Sequence, residues 1–211
     1  PINRLHSLSN LAIISNFEHT LLTSKDAPTD IMSITNCKNI LLSGLDLYRE
    51  EVLDRNGSSL SLVDCEDIEL VGCELSGYTR DGLNCESTNK LVLTDCEIHH
   101  AQRLAINIIK SNNLIFNSSD AYFTEKHILV SESKHIDFNL CKFYMGAYEV
   151  MDINNSTNLR FDRCNFSNNQ MMYDIGKLTS SGNIVFSNCN FIENEFLNSS
   201  ETSLFKIKFS V

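Results

Sequence analysis

One frame recurs about every 23 residues along this chain, and it constrains the fold more than any other feature. Each copy reads apolar-x-apolar, three or four polar residues, an Asn-like residue, apolar-x-apolar, then x-x-Cys-x-apolar. The apolar residue after the Asn-like position is Ile40, Ile68, Leu91, Leu114, Ile136, Leu159 and Ile184, with gaps of 28, 23, 23, 22, 23 and 25. Self-similarity at this period marks a solenoid, in which one small unit stacks on the next. Every copy carries three pairs of apolar residues with period two. The first runs from Met32/Ile34 through Leu83/Cys85 to Met151/Ile153, the second from Ile40/Leu42 to Ile184/Phe186, the third from Leu45/Leu47 to Cys189/Phe191. Period two is the signature of a short strand with one buried face, and no helical period extends over ten residues. Three strands per repeat in constant order predict an all-β chain. The expected architecture is a right-handed parallel β-helix of about eight coils, about 4.8 Å apart, forming one domain over 1–211.

The Asn-like position holds Asn39, Asp67, Lys90, Asn113, His135, Asn158 and Asn183. Asn tolerates the left-handed backbone conformation of a corner, and stacked side-chain amides bond one another in a ladder. Lys90 and His135 interrupt that column, so their corners are expected to be less well satisfied. Two residues before each of these lies a small one: Cys37, Cys65, Thr88, Ser111, Ser133, Ser156 and Ser181. Ser9 to Ile14 reads as a coil of the same kind. A start in mid-repeat is expected of a piece of a longer chain whose N-terminal cap is missing. Exposed coil ends carry unpaired strands, which favour end-to-end self-association.

The segments Asn158-Leu159-Arg160-Phe161 with Cys164-Asn165-Phe166, and Asn183-Ile184-Val185-Phe186 with Cys189-Asn190-Phe191, resemble the right-handed β-helix repeat family of the pectate-lyase-like superfamily. The closest likeness is to uncharacterised bacterial members in which this motif returns coil after coil. The resemblance covers nearly the whole chain and implies the fold; it is nearly silent on chemistry, because many activities share the scaffold. In enzymes of this superfamily the site lies on the outer face of one sheet, beside the long turns.

Acidic balance narrows the partners. Net charge is −10 with no basic stripe, which argues against nucleic acid. No apolar stretch approaches the roughly 20 residues of a membrane helix. Eight cysteines fall on inward or corner columns rather than in C-x-x-C pairs, so they read as reduced, buried thiols filling a tight interior. Free thiols favour a reducing compartment, whereas the family resemblance favours an extracytoplasmic or cell-surface location.

Two surfaces could carry chemistry. Asp46, Glu74, Glu97 and Asp120 form an outward column whose stacked carboxylates could recruit calcium; no other cofactor is expected. The second surface is the turn joining the third strand to the next coil. It collects Arg80, Asp81, His99 and Arg103, an Arg–Asp–His set able to abstract a proton beside a carboxylate. Around them lie Tyr78, His100, Tyr122, Glu125, His127, Tyr144, Tyr148 and Glu149, residue types that stack on sugars and bond their hydroxyls. The leading expectation is a non-catalytic scaffold of a larger bacterial protein, binding carbohydrate or protein. The alternative is a lyase or hydrolase acting on uronic-acid-containing polymers.

Overall fold

The computed structural model describes residues 4–15, 20–23, 29–50, 56–172, 174–197 and 205–208. These residues form a parallel β-solenoid with sheets of nine, eight and eight strands and a small two-stranded one. No helix occurs among the described residues. The repeat register is the one the spacing predicts: Leu11, Ile40, Ile68, Leu91, Leu114, Ile136, Leu159 and Ile184 are successive partners in the second sheet. The first sheet aligns Met32, Leu60, Leu83, Ile106, Ile128 and Met151, and the third aligns Leu47, Leu75, Ile98, Ala121, Phe143, Phe166 and Phe191.

Side chains from the three sheets pack together in one buried hydrophobic cluster. Two phenylalanine ladders carry the later coils. Phe116, Phe138, Phe161 and Phe186 stack with ring centroids 4.6, 4.9 and 4.7 Å apart. Phe143, Phe166 and Phe191 stack at 5.1 and 4.7 Å. These separations match the strand spacing of a sheet, so one ring per coil is what the backbone repeat allows. The ladders meet edge to face, as at Phe138 and Phe143 (5.8 Å, 76°).

Corners are set by left-handed residues at fixed positions. The whole Asn-like column has φ between 53° and 60° from Asn39 to Asn183. The expected weakness at Lys90 and His135 is corrected by the structure. Lys90 Nζ lies 3.1 Å from Asp67 Oδ1, and His135 bridges Asn112 Oδ1 (2.9 Å) and Asn158 Nδ2 (3.1 Å). Lys90 thus pairs along the column to Asp67, and His135 pairs along it to Asn158 and across to Asn112, so both departures from Asn keep a partner.

The cysteines are all free and occupy small-residue positions at two corners and an inward position on the first sheet. Their role is the hydroxyl's role. Ser111, Ser133 and Ser156 each bond the carbonyl two residues back (2.9, 2.7 and 2.7 Å) and accept the N–H of the equivalent residue one coil earlier. Cys65 Sγ likewise faces Ile34 O and Val63 O at 3.3 Å. Burial pushes the thiols of Cys65, Cys85 and Cys189 up, away from the thiolate form.

Candidate functional site

The turn between the third and first sheets forms a ridge, and the structure divides the expected site residues between its two flanks and the interior.

On the third-sheet flank the two surfaces expected separately are one. The acid column Glu74, Glu97, Asp120 runs beside a second column, His99, Tyr122, Tyr144, two residues further along each strand. Rings of His99 and Tyr122 stack at 4.6 Å, and those of Tyr122 and Tyr144 at 4.8 Å. Each acid takes a donor one coil on. Glu74 Oε1 lies 3.0 Å from His99 Nε2, Tyr122 OH donates to Glu97 Oε2 at 2.8 Å, and Lys142 Nζ donates to Asp120 Oδ2 at 2.9 Å. Burial and the Glu97 acceptor push the Tyr122 phenol up; burial and His99 push the His100 imidazole down. Glu74, Glu97 and Asp120 each face a donor rather than one another, and Asp46 continues their column as the register partner of Glu74. Among the described residues no group of three or more His, Cys, Asp or Glu is placed to hold a metal ion.

The ring ladder also limits what this flank can bind. Stacking covers both faces of Tyr122 and one face each of His99 and Tyr144, leaving fewer ring faces for a sugar. Phe123, 48% exposed with φ 53°, packs its ring 4.9 Å from His100 on the crest of the ridge. It was not among the expected residues, although its place between Tyr122 and Glu125 puts it in the same turn.

On the first-sheet flank lies a groove of about 320 Å³ lined by Arg103, Leu104, Glu125, Lys126, Leu129, Tyr148 and Glu149. Its floor is a single register column, Leu104, Lys126, Glu149, which continues one coil back into Asp81. Asp81 is fully buried and held by Arg103 through Nε (3.1 Å) and a terminal nitrogen (3.0 Å), and by Arg80 Nε (3.2 Å). A bidentate guanidinium matches a carboxylate geometrically. Asp81 has no exposure while the Arg80 and Arg103 side chains are each 48% exposed, so loss of an arginine leaves a buried carboxylate less compensated, whereas loss of Asp81 leaves only solvated cations. One coil further, Lys126 Nζ reaches Glu149 Oε2 at 2.9 Å and Asp152 Oδ2 at 3.3 Å. Tyr148, 45% exposed, lines the groove together with buried Leu104 and half-buried Leu129.

The expected Arg–Asp–His set is thus split. Arg80, Asp81 and Arg103 come together, while His99 bonds Glu74 and His100 on the other flank. Tyr78 is partly buried, its N–H directed to Arg49 O at 3.4 Å.

His127 is corrected outright. It is fully buried, with Nδ1 3.0 Å from Thr124 Oγ1 and Nε2 2.9 Å from Asn169 Oδ1. Burial lowers its pKa to about 4, so it is a neutral strut beneath the turn and not a sugar contact.

The matching family model covers residues 30–191 and is described as a right-handed β-helix region. The chain belongs to the right-handed β-helix family. Solved structures agree on the fold of this β-helix protein. One is the enzymatically active domain of tailspike protein 2 from bacteriophage CBA120, at TM-score 0.72 and 11% identity, covering 98% of this chain and 42% of that one. Another is the A-module of a mannuronan C-5 epimerase from Azotobacter vinelandii, at TM-score 0.56 and 10% identity, covering 97% and 71%. A third is the ORF18 product of Geobacillus virus E2, at TM-score 0.53 and 11% identity, covering 94% and 53%. The β-helix protein spans about two-fifths of the tailspike chain. No curated protein matches its sequence.

Proposed function

We propose that this β-helix protein is a non-catalytic scaffold that binds a carbohydrate in the groove on the first-sheet side of the turn ridge. The observation that carries the reading is the composition of that groove. An exposed tyrosine, Tyr148, lines it together with the apolar Leu104 and Leu129 and with hydrogen-bonding groups on Arg103, Lys126 and Glu149. An aromatic wall with a few placed polar groups is how a concave site holds a sugar ring and its hydroxyls. The paired state of the charges supports binding over turnover. Asp81 is committed to two arginines and Lys126 to two carboxylates, whereas a general base must be able to take a proton. Two of the solved relatives are a tailspike active domain and a polysaccharide epimerase, which gives the carbohydrate reading further support.

Screening immobilised glycans tests this directly. Wild type should retain at least one oligosaccharide, and Tyr148→Ala should weaken it about tenfold, about 1.4 kcal/mol, without a change in melting temperature. Retention undiminished by that substitution would remove the groove from consideration. The catalytic reading has one observation in its favour: two carboxylates, Glu149 and Asp152, converge on Lys126. Release of new reducing or unsaturated ends from a bound polymer, lost in Lys126→Met, would establish it instead.

A further inference from the structure

We propose that the ligand of this groove is an uncharged glycan strand lying parallel to the rod axis, and not a uronic-acid polymer. The inference rests on the groove being a carbohydrate site and adds the chemical class and direction of what it takes.

Direction follows from the repeat. Arg103, Glu125 and Tyr148 occupy equivalent turns on successive coils, linked by Lys126 N–H to Arg103 O and Tyr148 N–H to Glu125 O, both 2.9 Å. The floor beneath them is the register column of Leu104, Lys126 and Glu149. The groove therefore runs from coil to coil, and a chain molecule filling it follows the axis.

The charge class follows from where the cations are held. A uronate is favoured where cations outnumber carboxylates and repelled where the balance is the other way. Arg103 and Arg80, each 48% exposed, share the single buried carboxylate of Asp81, and with Lys126 they face Asp81, Glu125, Glu149 and Asp152, so carboxylates outnumber cations at the groove. Lys126 is fixed between Glu149 and Asp152, with all three side chains at most 20% exposed. The remaining charged group in the groove is an anion: Glu125 is exposed, and no cation stands within ion-pair distance of it among the described residues. A net charge of −10 adds long-range repulsion of any polyanion. What the pairs still offer is unshared carboxylate lone pairs and N–H groups in fixed positions, which match the alternating donors and acceptors of sugar hydroxyls.

The experiment compares neutral oligosaccharides (glucans, galactans, mannans) with oligogalacturonate and oligomannuronate by equilibrium titration at low and high salt. Wild type should bind a neutral member with affinity unchanged by salt, and the uronic members at least about tenfold more weakly. Glu125→Lys, an exposed substitution, should gain uronate binding that salt suppresses. Uronate bound as tightly as any neutral sugar and lost in Tyr148→Ala would overturn the charge assignment while leaving the groove as the site. Neutral preference with no uronate gain in Glu125→Lys would overturn the electrostatic cause. Failure of wild type to bind any member of either panel would remove the carbohydrate reading and this inference together.

Discussion

At the scale of single residues, the third-sheet corner shows why cysteine and serine exchange so freely along this chain. Ser119 stands in the same column as Cys96 and Cys141, accepts the N–H of Cys96 at 3.2 Å and donates to Asn117 O at 2.9 Å. Cys141 Sγ faces Phe116 O at 3.4 Å and Asn139 O at 3.5 Å, so the site wants a small group with a hydrogen to donate. Cys141→Ser should therefore cost only about 1 kcal/mol, the loss of a sulfur's apolar contact set against a better hydrogen bond. Cys141→Asp presents a charged acceptor to two carbonyl oxygens in a buried site and should cost several kcal/mol, or about 3 at the least. Lys142→Asp, at an exposed neighbour, loses an ion pair with Asp120 worth about 0–1 kcal/mol. Thermal melts of the three variants should rank in that manner, with Cys141→Asp far below the other two. A Cys141→Asp protein melting with the Lys142→Asp protein would contradict the inward assignment of the column.

At the scale of the turn, His127 is the element's support. Its Nε2 meets Asn169 Oδ1, which also accepts the Gly146 N–H at 2.8 Å, and a Cβ on Gly146 would stand 2.7 Å from that same imidazole nitrogen. The turn that presents Tyr148 is thus packed onto a neutral histidine. Its pKa of about 4 when folded lies below the ordinary value of 6.5, so between these two pH values the unfolded chain binds the extra proton. Stability from this group is full above pH 6.5 and is lost as pH falls through 4, by about 3 kcal/mol in total. His127→Gln should flatten the pH dependence of the melting temperature across that window; parallel profiles would assign acid sensitivity to the carboxylates instead. This residue also marks what could and could not be read beforehand. The period-two columns were legible because burial of one strand face forces alternation, and Ile128 and Val130 obeyed it. His127 looked like a turn residue because it adjoins that alternation, yet it shares a register with Ile31, Ala105, Val150 and Ile175, all buried. Alternation puts position 127 on the outer face, so only reading that position as a column of its own would have found it. The split of His99 from Asp81 was not legible, since one turn's residues fall to either side of a ridge whose position depends on backbone direction.

At the scale of the whole rod, order is one-dimensional: each coil touches the coil before and the coil after, so stability is a sum of neighbour terms rather than a property of one central core. Phe161 is buried between Phe138 at 4.9 Å and Phe186 at 4.7 Å, and it meets Phe166 edge on. Truncation to alanine removes contacts on both sides and should cost about 3–5 kcal/mol. In a globular core such a loss lowers every opening reaction that passes through global unfolding. In a stacked rod it should be felt most by the flanking coils, because Leu60 and Leu62, in the early coils, have no contact path to Phe161 except through the coils between. Native-state hydrogen exchange of Phe161→Ala should show protection falling steeply in the strands Lys134–Asn139, Thr157–Asp162 and Gly182–Ser187, and little in Met32–Thr35 and Ser58–Val63. A uniform fall across all five strands would mean that the coils open as one cooperative unit. The groove spanning Arg103 to Tyr148 would then share the fate of the distant coils, whereas a graded fall lets its rigidity be set locally by the coils that line it.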